Sequence, residues 1–168
     1  GVGSVANVSI DQAFEKIEGN IGVSHTRWAT HGGVTDENAH PHTSCKGKIA
    51  IVHNGIIENF AELREKLKNH EFKSQTDSEV IAHLIEEYYS GDFMKAVFKA
   101  ASMLKGSFAF LAIHADHEVL VGCRKESPLV VGLGDDEFFV ASDTLSFSDE
   151  TRDVVYMSDG EAVVINNK

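Results

Sequence analysis

Basic residues are in short supply in this sequence. Lysine and arginine total 15 against 26 aspartates and glutamates, a formal net charge of -11, and no local basic cluster offsets the deficit. Such a charge balance repels phosphate backbones and anionic bilayers, which argues against nucleic acid or a membrane as partner. Long apolar runs are missing too, and the amino end has no basic-then-apolar signal pattern, so the expected compartment is the cytoplasm. Cysteine occurs only as Cys45 and Cys123. That is too few for a disulfide framework and without CxxC spacing, so both read as reduced thiols. There is no Gly-x-Ser-x-Gly elbow and no Gly-x-x-x-x-Gly-Lys-Ser/Thr loop, so neither serine-hydrolase nor phosphate-loop chemistry is expected. Internal repeats and low-complexity tracts are absent as well.

What is present suits a single folded unit: 168 residues, of which 42% are hydrophobic, enough for one sizeable core. A short helix is expected after Ser9, where Ser9 and Gln12 have capping-box spacing. Strands are expected over 20–24 and 48–53, separated by a long polar, histidine-rich segment over 25–47 whose length points to function. Helical patterns follow. Asn59 with Glu62 and Thr76 with Glu79 have capping spacing, and Asp92 opens a third helix with Val97, Phe98, Ala101 and Leu104 inward, stopping near Gly106. Further strands are expected over 107–114, 118–123, 129–133, 137–141, 154–157 and 162–165. Asp159-Gly160 between the last two is a two-residue hairpin signal, which predicts antiparallel pairing there. Helices clustered between two groups of strands give an α+β class with antiparallel sheets, their wholly apolar strands covered on both faces.

Polar chemistry concentrates in four places. His25-Thr26-Arg27-Trp28-Ala29-Thr30-His31-Gly32 follows an apolar run, and Arg27 can clamp a carboxylate through two parallel hydrogen bonds. The competing reading is a surface arginine beside a core tryptophan. Asn38-Ala39-His40-Pro41-His42, with His25, His31 and His53, raises a metal site. However, no acidic or cysteine ligand stands at a recognised spacing and Pro41 fixes the middle of the pair, so a rigid turn with hydrogen-bonded histidines is preferred and no metal or cofactor is expected. Asn54-Gly55 is placed at a strand end, exposing an amide and a glycine N–H, the two donors a tetrahedral oxyanion needs. Asp77 and Glu79 fall in a helix's first turn, where the backbone dipole alone accounts for their charge, although Asp77 can also pair with a ligand ammonium. Cys45, near Lys46 and Lys48, and Cys123, ending an apolar strand, carry no catalytic signature.

In their order, four strings resemble the class II glutamine amidotransferases, whose glutaminase domain is an N-terminal-nucleophile hydrolase: residues 25–32, 38–42, 53–59 and 76–83. Within that class the wording is similar to the glucosamine-6-phosphate synthase branch, as are residues 127–134 and Ala141-Ser142-Asp143. The resemblance covers nearly the whole chain and implies a four-layer αββα sandwich, incomplete at its amino side. It makes 1–168 a partial type 2 glutaminase domain. It also implies that Arg27 binds the α-carboxylate of L-glutamine with Thr30 and His31, that Asp77 holds the α-ammonium, that Asn54 and Gly55 form the oxyanion hole, and that Trp28 gates the lid. The implied partner is a sugar-isomerase domain that uses the ammonia on fructose-6-phosphate, in a homo-oligomeric full-length enzyme. The class uses a cysteine at the mature amino terminus as nucleophile, with its α-amine as base. Position 1 here is Gly1, and the family's opening strands and helix are not found before Arg27. The expectation is therefore an isolated fragment that does not hydrolyse glutamine and whose sheets have open edges.

Overall fold

The computed structural model describes residues 18–27 and 32–166. The helix expected after Ser9 and the side chains of Trp28, Thr30 and His31 lie outside these residues. The described chain runs β1 (His42–Thr43), β2 (Ile49–Ile57), α1 (Phe60–Lys66), α2 (Glu79–Tyr88), α3 (Phe93–Ala101), β3 (Gly106–His114) and β4 (His117–Lys125). It continues through β5 (Val130–Leu133), β6 (Phe138–Ala141), a 3₁₀ turn (Thr144–Ser146), β7 (Val154–Tyr156) and β8 (Ala162–Asn166). All pairings are antiparallel, in a five-stranded sheet ordered β1-β2-β3-β4-β8 and a three-stranded sheet ordered β6-β5-β7. No helix among the described residues is long and apolar enough to cross a membrane.

Strand alternation builds the layers. In β3, Phe108, Phe110 and Ala112 join Ile49, Ile51 and Ile57 of β2 in packing against Leu63, Val80, Leu84, Phe93 and Val97 of the helices. Ala109 and Leu111 point the other way and pack with Val163 against Leu129, Val131, Val140 and Met157 on the side of the smaller sheet. Successive side chains of a strand leave opposite faces, so the apolar run Phe108 to Ile113 of β3 is covered twice, as expected. Helices, large sheet and small sheet make three layers of the αββα sandwich among the described residues.

Several local expectations give way to tertiary partners. No strand forms over 20–24, and the 25–47 segment contains the short β1. The Asn59 side chain does not cap α1. It spans to the turn before β3, with Nδ2 donating to Met103 O at 3.0 Å and Oδ1 accepting from Lys105 N at 2.9 Å, while Glu62 pairs with Lys66 at 2.6 Å. Glu79 reaches back past Thr76 to accept from Lys73 N and Ser74 N, and Thr76 Oγ1 instead meets His42 Nε2 at 3.0 Å. Asp92 does cap α3, accepting from Lys95 N at 3.1 Å. The buried face of α3 is Phe93, Ala96, Val97 and Ala100, with Phe98 left 42% exposed, and the helix ends at Ala101 rather than near Gly106.

Asn54-Gly55 is not at a strand end: β2 continues through it, with Asn54 opposite Ala109 and Gly55 opposite Phe108. Nor does Asp159-Gly160 close a hairpin. β7 pairs with β5 in the small sheet and β8 with β4 in the large one, so the chain crosses between sheets at this turn. Partners from the end of β4 hold it there: Gly160 N donates to Arg124 O at 3.2 Å, Arg124 Nη1 donates to Met157 O at 2.5 Å, and Glu126 N donates to the Asp159 carboxylate.

Candidate active site

Three segments distant in sequence meet around one cavity. The irregular chain at His25, Thr26 and Arg27, the β2 residues His53, Asn54 and Gly55, and Thr76, Asp77 and Ser78 leading into α2 line a space of about 190 Å³, together with His40. That lies below the roughly 300–1,000 Å³ typical of drug-sized ligands and suits a small metabolite.

Glycine at 55 is dictated by its backbone. Its φ of 123° is a conformation that L side chains rarely adopt, and a Cβ there would land on the Ser107 carbonyl oxygen and 2.9 Å from Phe108 Cα. Only a residue without Cβ lets β2 and β3 stay paired at this point. Beside it, Asn54 Oδ1 lies 2.6 Å from His25 Nε2, whose N–H donates to it. This bond fixes which way the amide is turned, so the NH2 arm faces away from His25.

Asp77 is 3% exposed, and its Oδ2 accepts from Ile57 N at 2.7 Å. His53 is also buried, with Nδ1 2.8 Å from Ser78 Oγ. These two bonds tie the start of α2 to β2 across the floor of the site. Arg27 Nη1 donates to Gly33 O at 2.9 Å, and Asn38 donates to the same carbonyl at 3.0 Å while accepting from Gln75 N at 2.8 Å. Gly33 and Asn38 thereby link Arg27 to Gln75, in the segment that leads into Asp77.

The surrounding histidines are held neutral. Burial pushes His40 down to about 2, with repulsion from His25, His42, His53 and Arg27 acting in the same direction. Burial likewise lowers His42 to about 4, against the opposing pull of Glu79, and His53 to about 4, against that of Asp77. Arg27 and Asp77 therefore bring one cation and one anion to the cavity, beside the neutral imidazoles of His40 and His53. The rings of His25 and His40 stand 4.1 Å apart and those of His40 and His42 4.6 Å apart.

Of the residues singled out from the sequence, Arg27, Asn54, Gly55 and Asp77 share this cavity. Thr30, His31 and Trp28 lie outside the described residues. His25, which orients Asn54, was weighed from the sequence only as a metal ligand, and Ser78, which braces His53, was given no role; both stand in strings that the sequence singled out. Neither cysteine lines the cavity. Cys123 is buried in β4, and burial pushes its thiol up to about 12. Cys45 lies instead beside His70 and His83.

Residues 25–149 match the glutamine amidotransferase domain family. Among curated proteins, the chain is 50% identical over 149 residues to the glutamine–fructose-6-phosphate aminotransferase (isomerizing) of Thermus thermophilus, covering 88% of this chain and 25% of that protein. It is also 50% identical to the enzymes of that name from Thermococcus kodakarensis, over 170 residues, and Clostridium perfringens, over 168, each covering 98% of this chain and 28% of the relative. The chain thus spans about a quarter of the length of these relatives. Among solved structures, the Bacillus subtilis glutamine phosphoribosylpyrophosphate amidotransferase complexed with ADP and GMP superposes with a TM-score of 0.71 at 29% identity, covering 85% of this chain and 32% of that one. A structure described as the allosteric regulatory enzyme of purine biosynthesis gives 0.72 at 31% identity, with the same coverage. An antiparallel α+β sandwich, a cavity holding Arg27, Asp77 and Asn54-Gly55, and a family match over most of its length lead to one conclusion: this chain belongs to the glutamine amidotransferase domain family.

Proposed function

We propose that this domain binds L-glutamine as the glutaminase part of a cytoplasmic, oligomeric glutamine–fructose-6-phosphate aminotransferase, whose sugar-isomerase domain uses the ammonia to make glucosamine-6-phosphate. The observation that carries this reading is the convergence of Arg27, Asp77, Asn54 and Gly55 on one small cavity. A free amino acid needs a cation for its carboxylate, an anion for its ammonium and, when its amide is attacked, donors for the oxyanion. Arg27 takes the first role, with Thr30 and His31 beside it in sequence and Trp28 as the gating indole. Asp77 takes the second, already oriented by Ile57 N–H. The Asn54 amide and the Gly55 N–H take the third, and one such donor contributes about 2.7–4 kcal/mol to the transition state in comparable sites. Identity of 50% to three enzymes named glutamine–fructose-6-phosphate aminotransferase supports fructose-6-phosphate as acceptor.

Neither Cys45 nor Cys123 lines the cavity, so Arg27, Asp77, Asn54 and Gly55 supply binding and charge stabilisation and neither cysteine serves as the nucleophile. The 168-residue chain by itself then binds glutamine without consuming it. Calorimetric titration with L-glutamine alongside an ammonia assay tests this. One site per chain and no ammonia is the expected result. Absence of binding contradicts the clamp, and ammonia release that an Asn54→Ala change abolishes contradicts the separation of binding from nucleophile.

A further inference from the structure

A second cluster lies apart from the cavity residues. Cys45 sits in the turn between β1 and β2, His70 in the connection from α1 to α2, and His83 and Glu86 one turn apart on α2. Each offers one donor atom, and the four atoms lie within 4.8 Å of one another. We propose that Cys45, His70, His83 and Glu86 form a structural zinc site.

The first support is distance. A tetrahedral zinc ion with bonds of about 2.3 Å to sulfur and about 2.0–2.1 Å to nitrogen or oxygen holds its ligands about 3.6 Å apart for S···N and about 3.3 Å apart for N···N or N···O. Cys45 Sγ is 3.6 Å from His70 Nδ1 and 3.5 Å from His83 Nδ1, and His70 Nδ1 is 3.3 Å from Glu86 Oε2.

The second support is the way the two imidazole rings are turned. Each histidine turns its other nitrogen to a carboxylate: His70 Nε2 is 3.0 Å from Glu87 Oε2 and His83 Nε2 is 3.4 Å from Glu79 Oε1. Both Nδ1 atoms thus face Cys45 Sγ, where the Glu86 oxygen also converges, and one cation there can be bound by all four donor atoms. The same carboxylate-to-histidine contacts are the outer partners that orient metal-bound imidazoles.

The remaining bonds fit a charged sulfur and a fixed carboxylate. Glu71 N donates to Cys45 Sγ at 3.3 Å, and Glu86 accepts from Cys45 N and Lys46 N at 3.0 Å each. The side chains of His83, His70 and Glu86 are 1%, 9% and 11% exposed, whereas Cys45 is exposed and leaves a path for an ion. One thiolate and two imidazoles favour zinc over magnesium or calcium, and four protein ligands make a closed, structural site. Such an ion would tie the β1–β2 turn and the α1–α2 connection to α2. That connection carries Thr76 and Asp77 into the cavity.

The test uses the purified protein, its C45S variant and its E87Q variant. Elemental analysis of protein expressed with zinc is expected to give about one zinc per wild-type chain, as a closed four-ligand site requires. After chelator treatment, cobalt should produce the intense visible bands of a tetrahedral ion with a thiolate charge-transfer band that C45S lacks. E87Q changes an exposed residue behind the His70 ligand and should weaken zinc binding about 10- to 100-fold with the fold intact. This variant keeps the test decisive should C45S fold poorly. Wild-type protein without stoichiometric zinc, a charge-transfer band retained in C45S, or E87Q binding zinc as tightly as wild type would each overturn the proposal.

Discussion

Replacing Gly55 by alanine isolates the backbone geometry that builds the candidate oxyanion hole. Two costs add. Holding a non-glycine residue at a φ of 123° costs on the order of 1–3 kcal/mol. The new Cβ would also strike Ser107 O and Phe108 Cα, which are backbone atoms of β3 that no rotamer change can move aside. Relieving the contact means separating β2 from β3, and each buried backbone group left without a partner adds about 1–3 kcal/mol. The sum, about 2–6 kcal/mol, is a large part of the roughly 5–15 kcal/mol that stabilises a typical domain. Gly47 supplies the control: its φ is 65° but nothing lies within 4 Å of its Cβ position, so Gly47→Ala should show the conformational cost alone. Urea unfolding of both variants measures the difference. A Gly55→Ala loss below about 1 kcal/mol, the lower end of the strain cost, or one equal to that of Gly47→Ala, would refute the close approach of β3.

Asp77 separates structure from binding. Asp77→Ala leaves the Ile57 N–H without its acceptor and should cost about 1–3 kcal/mol of stability. Asp77→Asn keeps an acceptor but loses the charge, so it should restore most of that stability while glutamine affinity stays at least about tenfold down. Equal glutamine affinity for the Asp77→Asn variant and the wild-type protein in calorimetry would remove Asp77 from the clamp. Acid should destabilise the fold through the histidine lining. His40 at about 2, and His42 and His53 at about 4, lie below the ordinary 6.5. The unfolded chain therefore takes up these protons near pH 6.5 while the folded chain stays neutral. Stability is complete above about pH 6.5 and falls as pH drops toward about 4. A urea midpoint unchanged between about pH 7 and about pH 5 would contradict it.

The parts of this fold that depend on local pattern were legible in the sequence. Runs such as Phe108 to Ile113 are apolar at every position because β3 is covered on both faces, and Asp92 opens its helix as expected. What misled was anything decided by a distant partner. Asn54-Gly55 is expected at a strand end, yet β2 runs on through it because β3, a strand that follows only after all three helices, pairs alongside. Asp159-Gly160 resembles a hairpin, yet contacts from the end of β4 turn it into a crossover between sheets. Asn59 and Thr76 were drawn from capping into bonds with Met103, Lys105 and His42. Arg27, Asn54, Gly55 and Asp77, which line one cavity, were singled out because each stands in a string of polar residues. Cys45, His70 and His83 lie far apart in sequence and without a metal-binding spacing, and only the packing of α2 against two loops brings them together.

The most direct test of the account is a structure of the protein crystallised with L-glutamine. One glutamine should lie in the cavity, its carboxylate on the Arg27 guanidinium, its ammonium on the Asp77 carboxylate and its side-chain amide oxygen facing Asn54 Nδ2 and Gly55 N. Glutamine bound with its carboxylate away from Arg27, or bound elsewhere on the surface with the cavity filled by water alone, would contradict it.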